Sequence, residues 1–339
     1  VAQRPGREPA DQVSAPDPGA NGVPGDAGPV GPTPVPATGR HLPPGRLDDA
    51  RCSVQALLRG DSGNATAPPA RHWLLVEQPG PWGRDALLES RFDHRVASRL
   101  AARAREAGVR IQLVRRPGGR LADSGMQWAL ADVTRGVVRW STRTTDAELL
   151  DVPWDGTVGE VVAGPTYLVC THGGHDVCCA VRGRPLAQQL PGDVWETSHL
   201  GGDRFAANVL VLPHGFVYGQ VPGDGAALVA AHAAGQVALP WLRGRAGLGA
   251  PAQAAQQHAR AELGLLGTGD LAPRAVRSLP SPAAGVEQWS VTLAGPTGDV
   301  VVTVESRPSA EAHRLTCAAV AAGHWRTWHP LSLQASAPA

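Results

Sequence analysis

Three of the five cysteines in this 339-residue chain stand within ten residues, in CTHGGHDVCC (residues 170–179), together with two histidines. Thiolates and imidazoles grouped this closely can exchange disulfides, hold a metal ion or hold an iron–sulfur cluster, and spacing separates the three. A dithiol redox pair needs Cys-x-x-Cys; no gap among Cys170, Cys178 and Cys179 fits, and the adjacent pair could bond only with backbone strain. A Rieske site needs a second box, and none follows Cys179. Tetrahedral zinc can be assembled on paper from Cys170, His172, His175 and Cys179, but a loop this wide, with Gly173 and Gly174 inside it, is not a zinc knuckle. It suits a larger object, such as a two-iron cluster. One iron would take Cys170 and Cys179. The other would draw on SHLGGDRFA, about twenty residues on, where His199 and Asp203 flank two glycines that let the backbone turn closely.

Short elements of an α/β protein must carry these loops. HWLLVEQPG (72–80) reads as a strand ending in a Pro/Gly turn. RVASRLAARAREAG (95–108) reads as a helix with Val96, Leu100 and Ala104 on one face and Gly108 as its stop. VRIQLVRRPGG (109–119) is then a strand and a turn, so a βαβ unit with a parallel pair is predicted. The second half repeats the rhythm. PTYLVC is a strand ending on Cys170, RGRPLAQQLPG a short helix, and ANVLVLPHGFVYGQV two strands around Pro213–Gly215. GAALVAAHAAG is a helix capped by Asp224 and stopped at Gly235. That order matches a thioredoxin-like sheet, although many α/β folds share it. Past Arg243–Leu248 and a Gln-rich stretch (Pro251–Leu263), EQWSVTL and DVVVTVESR predict a hairpin around Gly295–Gly298. Residues 1–45 hold 11 Pro and 8 Gly and no Phe, Trp or Tyr. Such a composition cannot bury enough apolar surface to offset chain entropy, and a disordered tail is predicted.

CTHGGHDVCC, GRPL, SHLGGDRFAANVLVLP and YGQV, with HWLLVEQPGPWGRDAL in the first half, resemble the sucrase/ferredoxin-like family. The resemblance runs from about Cys52 to the helix at Asp224, and more loosely to Trp328. It implies a thioredoxin-like ferredoxin core, placed at 151–248 in an α/β fold; composition and element order add a tail at 1–46, a related N-terminal α/β half at 47–150 and a small α+β region at 249–339. It also implies a [2Fe–2S] centre, held in the family's yeast relatives by two cysteines spaced C-x8-C and two histidines in H-x-G-G-H. Cys170 and Cys179 match the cysteine pair, and His199 matches the first histidine. Here the chain departs, because HLGGD puts Asp203 where the second histidine belongs. A bound carboxylate, harder and more anionic than imidazole, would lower the potential. Three readings of the departure stand: Asp203 is the fourth ligand; Cys178 takes that place; or this bacterial-looking branch has lost the cluster and Asp203 pairs with an arginine such as Arg204. The function implied is electron transfer with a redox partner protein, without covalent chemistry of its own. The "sucrase" of the family name carries no expectation of sugar hydrolysis, since no carboxylate pair is assignable to it. The alternatives are a cluster-free thioredoxin-fold binding or scaffold protein and a zinc-binding structural protein.

The remaining candidates have plainer readings. Cys52 and Cys317, far apart in sequence, read as free buried cysteines. His172 and His175 read as polar loop residues, and Asp176 as closing its turn through its own side chain. Arg182 and Arg184 read as partners for Asp203 or as exposed helix-start residues. The rigid loop Pro79–Arg84 could dock a partner or planar cofactor through Trp82 and Arg84, but reads better as a cap over the cysteine loop. A net charge of +1 and the lack of basic–aromatic alternation argue against nucleic acid. All 31 basic side chains are arginine, which with abundant Ala, Gly and Pro reflects GC-rich codons. No run of ~18 apolar residues predicts a membrane span, and no basic patch precedes an apolar core as in a secretory leader. An odd, scattered set of five cysteines argues for a reducing cytoplasm over a disulfide scaffold.

Overall fold

The computed structural model describes residues 50–119 and 125–335, so the tail expected at 1–46 lies outside the described residues. Helix α1 (Cys52–Arg59) leads through an irregular strap to strand β1 (His72–Glu77). Helix α2 (His94–Glu106) starts where the Asp93 carboxylate accepts from the backbone N–H of Arg95 and Val96, and it buries Ala97, Leu100 and Ala104. Its apolar face is therefore centred on Ala97 rather than Val96, which is only partly covered. Strand β2 (Val109–Arg115) returns parallel to β1 in the register His72↔Val109, completing the predicted βαβ unit. Strands β3 (Met126–Asp132), β4 (Val137–Arg143) and β5 (Glu160–Val161) extend the sheet antiparallel.

The second half repeats this plan with β6 (Thr166–Cys170), α3 (Val177–Gln189), β7 (Asp193–Thr197), β8 (Val209–Leu212), β9 (Phe216–Tyr218), α4 (Ala226–Ala233) and β10 (Leu242–Arg245). Strand β6 is parallel to β7 and antiparallel to β8. The strand order β7-β6-β8-β9, with α3 and α4, is the thioredoxin-like core, and β2-β1-β3-β4 is its counterpart. The two are joined where β2 and β7 pair antiparallel at Val114↔Thr197 and Arg115↔Glu196. One ten-stranded sheet results, ordered β10-β9-β8-β6-β7-β2-β1-β3-β4-β5.

That sheet curls. Trp140 of β4 stacks on Trp195 of β7 with ring centroids 4.9 Å apart, although three strands separate them in the ladder. The inner faces of both halves consequently share one core, with Trp73, Leu75 and Ala129 from the first half and Leu168, Leu210 and Val217 from the second. Strand alternation sends Leu168 and Cys170 into that core, while Tyr167 and Val169 pack outward with residues of α3 and α4. Leu74, Val76 and Leu113 pack outward with α2.

Helix α3 begins five residues before the expected Arg182, because the Asp176 side chain accepts from Cys178 N–H at 2.8 Å and caps it there. Gly183 then lies so close to the end of β6 that a Cβ would collide with the Cys170 carbonyl. Despite alanine's better helix propensity, Gly183→Ala is expected to destabilise the protein by about 3 kcal/mol. Thermal unfolding should read this as a midpoint lowered by roughly 6–10 °C; an unchanged midpoint would contradict the tight backing of α3 on β6.

The C-terminal region is helix α5 (Ala250–Leu263) against a meander of β11 (Ala272–Leu279), β12 (Glu287–Ala294), β13 (Asp299–Pro308) and β14 (Arg326–Ala335). The predicted hairpin is present as β12 and β13. The Gln-rich stretch is α5 itself. Buried Gln253 donates to the carbonyls of Ala67 and Leu248, and Gln256 to that of Leu271, so its inner face carries amides where a sequence pattern needs apolar residues. Among the described residues no helix is long and apolar enough to cross a membrane.

Candidate metal centre

Three backbone segments bring the chemistry together at the edge of the shared core. Cys170 ends β6, and its N–H is held by the Asn208 carbonyl at 2.9 Å. Cys179 sits in the first turn of α3, where the helix dipole favours a thiolate. His199 and Asp203 come from the loop after β7. Gly201 and Gly202 there both have left-handed backbones (φ +92° and +76°), and a Cβ on Gly202 would strike the buried Arg243 guanidinium. The first half holds this loop in place: Ser198 N–H donates to the Leu113 carbonyl at 2.8 Å, and the side chains of Arg110 and Gln112 donate to the His199 carbonyl at 3.0 and 3.2 Å.

The potential ligand atoms of Cys170, Cys179 and His199 lie within 4.8 Å of one another, as do those of His175, His199 and Asp203. The Cys179 thiol donates to Asp203 Oδ1 at 3.4 Å, and His199 Nδ1 lies 3.1 Å from the same oxygen. The latter approach is out of hydrogen-bond alignment, which leaves His199 Nδ1 a buried nitrogen without a hydrogen-bond partner. His175 stacks on His199 with ring centroids 3.7 Å apart and places Nε2 3.9 Å from Asp203 Oδ2.

Acidic donors are crowded in this site. The Cys170 thiol is held well below its usual range by the hydrogen bond from Cys179, against the cost of burial and with help from His199. Burial opposes ionisation of Asp203 too, but His199 and His175 keep its carboxyl below the ordinary value. Burial works against a charge on His199, yet Asp203 and Cys170 raise it to about 9. Cys179 is pushed far up by the Cys170 thiolate, burial and Asp203. Three acidic donors thus crowd one another beside the His199 imidazolium and the buried Arg243 guanidinium, and Cys179 keeps its proton. A bound cation resolves this conflict, because coordination deprotonates a thiol outright. The donor set therefore fits a metal group.

A family model described as sucrase/ferredoxin-like matches residues 64–244. The chain belongs to the sucrase/ferredoxin-like family. No curated protein and no solved structure matches it.

Against the sucrase/ferredoxin-like pattern, the fold collects Cys170, Cys179, His199 and Asp203 at one place and adds His175, which by sequence is a polar loop residue. Its signal was faint: a histidine four residues before Cys179 and next to the capping Asp176. Cys178, the alternative fourth ligand, is placed elsewhere. Successive helix residues diverge by about 100°, and its sulfur meets Cys52 and Cys317 instead. Both are free cysteines, Cys52 buried and Cys317 partly exposed, but they have thiol neighbours that their distance in sequence gave no reason to expect. Asp203 does not pair with Arg204, whose Nε faces Asp61 at 3.5 Å, nor is it bonded to Arg182 or Arg184; its neighbours are His175, Cys179 and His199.

His172 is a clamp. Its Nδ1 accepts from His199 N–H at 3.2 Å and its Nε2–H donates to the Gly83 carbonyl at 2.6 Å, which fixes a neutral tautomer. Burial also lowers its proton affinity. The loop around Trp82 covers the cysteine loop closely: a Cβ on Gly174 would sit 2.7 Å from the Trp82 carbonyl. Trp82 is buried, donates to the Gln78 carbonyl at 3.0 Å and meets the His172 ring edge-on, so it is a cap and not a docking side chain. Beside it, a cavity of about 580 Å³ lined by Arg84, Arg105, Arg110, His172, His175 and His199 leads to the site.

Proposed function

We propose that this protein is an electron carrier whose [2Fe–2S] group is held by Cys170, Cys179 and His199, with Asp203 or His175 as the fourth ligand. One observation carries the reading: in a sucrase/ferredoxin-like chain, two buried thiols, an imidazole and a carboxylate converge from three separate segments, with their ligand atoms in two overlapping groups each within 4.8 Å. When bound, such a group accepts and releases one electron. The chain's own part is electrostatic and steric. The α3 N-terminus and His199 favour thiolate at the cysteine pair, Asp203 adds negative charge that opposes reduction, and the Trp82 loop excludes water from the inner side. The imidazole edges of His175 and His199 face the cavity and give the shortest path outward. Arg84, Arg105 and Arg110 on its walls suit a redox partner with an acidic docking surface. Reduced thiols of this kind belong in a cytoplasm-like compartment.

A single zinc ion is the second reading, favoured by the ligand atoms of Cys170, Cys179 and His199 lying within 4.8 Å, a compass that suits one ion. Anaerobic purification after growth with iron and sulfide separates the two. A red-brown protein with about two irons per chain and a spin-half EPR signal on reduction is the expected result. A colourless protein that takes up no iron on anaerobic reconstitution would overturn it, in favour of zinc if one ion is bound at Cys170 and of a metal-free scaffold if none is.

A further inference from the structure

A second group of donors lies on the far side of the first turn of α3. Cys52 opens α1, Asp176 caps α3, Cys178 occupies the second position of α3, and Cys317 lies in the long connection between β13 and β14. They come from positions up to 265 residues apart. Yet the three sulfurs form a triangle with edges of 3.6 Å (Cys52–Cys178), 3.2 Å (Cys178–Cys317) and 3.5 Å (Cys317–Cys52). Asp176 Oδ2 closes the fourth corner 3.9 Å from the Cys52 sulfur, and all four donor atoms lie within 4.8 Å of one another. No donor is shared with the Cys170 site.

We propose that Cys52, Cys178, Cys317 and Asp176 form a structural site for a single tetrahedral divalent ion, zinc by ligand type. Size is the first argument. Tetrahedral zinc with Zn–S of about 2.3 Å has S···S edges of about 3.8 Å, close to the observed triangle and too small for two irons to stand between separate ligand pairs. Orientation is the second. Asp176 Oδ1 accepts from Cys178 N–H at 2.8 Å and Oδ2 from Cys317 N–H at 2.7 Å, which fixes the carboxylate and leaves each oxygen a lone pair. Charge is the third. Three thiolates and a carboxylate around a divalent ion carry two net negative charges, and the Arg204 guanidinium, buried beside α1, lies within electrostatic reach of Cys52. A cavity of about 200 Å³ lined by Cys52, Arg59, Arg314 and Cys317 gives the ion a way in.

The consequence is architectural. The ion would pin α1 and the C-terminal β13–β14 connection to the turn that carries Cys179, so one ion would brace the inner side of the first site. The paired cysteines of the CTHGGHDVCC segment thereby divide their labour, Cys179 facing the electron-transfer site and Cys178 the brace.

Zinc content of the full chain, purified without chelator, tests this by elemental analysis beside variants. About one zinc per chain is expected, retained in Cys170→Ala and lost in Cys52→Ser and Cys317→Ser, with affinity weakened at least tenfold in Asp176→Asn. Should the serine variants fail to fold, alkylation of the native chain mapped by mass spectrometry decides. Cys52, Cys178 and Cys317 should be protected with zinc and reactive after chelation. Cobalt substitution should give the intense bands of a tetrahedral thiolate site. A disulfide among the three cysteines, three reactive thiols in the presence of excess zinc, or zinc lost in Cys170→Ala but kept in Cys317→Ser would each overturn the proposal. The first two outcomes leave the iron reading open, the third moves the zinc to the Cys170 site and favours the single-zinc reading there, and an iron-free Cys170 site leaves this proposal untouched.

Discussion

Cys170→Ala should yield a folded, colourless protein that binds no iron under the conditions that turn the parent chain brown. Cys170 is 1% exposed, at the end of a central strand whose neighbours are held by ladder hydrogen bonds, so alanine removes one buried atom and costs on the order of 1 kcal/mol. Nothing nearby replaces the lost thiolate. Cys179 and His199 stand between it and Asp203, and Cys178 is committed to the opposite side of α3. The loss should therefore be complete, and a far-ultraviolet spectrum matching the parent would separate it from misfolding. Cys178→Ala supplies the contrast. It should keep the iron chromophore, because its sulfur lies with Cys52 and Cys317. Brown Cys170→Ala protein would reverse the assignment of Cys170, and an iron-free Cys178→Ala protein whose far-ultraviolet spectrum and thermal midpoint match the parent would reverse that of Cys178.

The contrast also marks what a sequence can carry. The βαβ unit of the first half and the strand, helix and hairpin of the second were legible because these are short-range patterns, whereas β3, β4 and β7 went unread; Cys170, Cys179 and His199 were legible because an unusual motif keeps them in order. Pairing between the halves was not. The curl that stacks Trp140 on Trp195 depends on the twist of a whole sheet, and no local pattern encodes it. The same holds for the second thiol group: Cys52 and Cys317 sit beside Cys178 only because α1 and the C-terminal connection fold onto the cap of α3. His175 falls between these cases. It lay in the motif, but its stacking on His199 needs the loop closure imposed by His172 and the Trp82 loop. Helix α5 was hidden for a chemical reason, since its buried face mixes small alanines with two glutamine amides that serve backbone carbonyls, and shows no large apolar stripe.

Asp203→His should raise the midpoint potential of the iron-loaded protein by about 100–300 mV. Replacing two thiolates by two imidazoles separates plant-type ferredoxins near −400 mV from Rieske centres at about −150 to +300 mV, so exchanging one anionic ligand for a neutral one is about half that span. The sign follows from charge alone: reduction adds an electron, and a carboxylate 3.1 Å from His199 Nδ1 and buried from water disfavours that addition more than an imidazole would. Protein-film or dye-mediated titration measures the shift, and EPR reports a changed g-tensor if the side chain is a direct ligand. His175→Ala decides between the two candidates for the fourth position. With Asp203 bound, His175 only stacks on His199, and its removal should leave the g-tensor unchanged and move the potential by a few tens of millivolts at most. With His175 bound and Asp203 merely opposite it at 3.9 Å, His175→Ala should lose the iron while Asp203→Asn keeps it. A potential unmoved in Asp203→His would leave the carboxylate no part in tuning this centre.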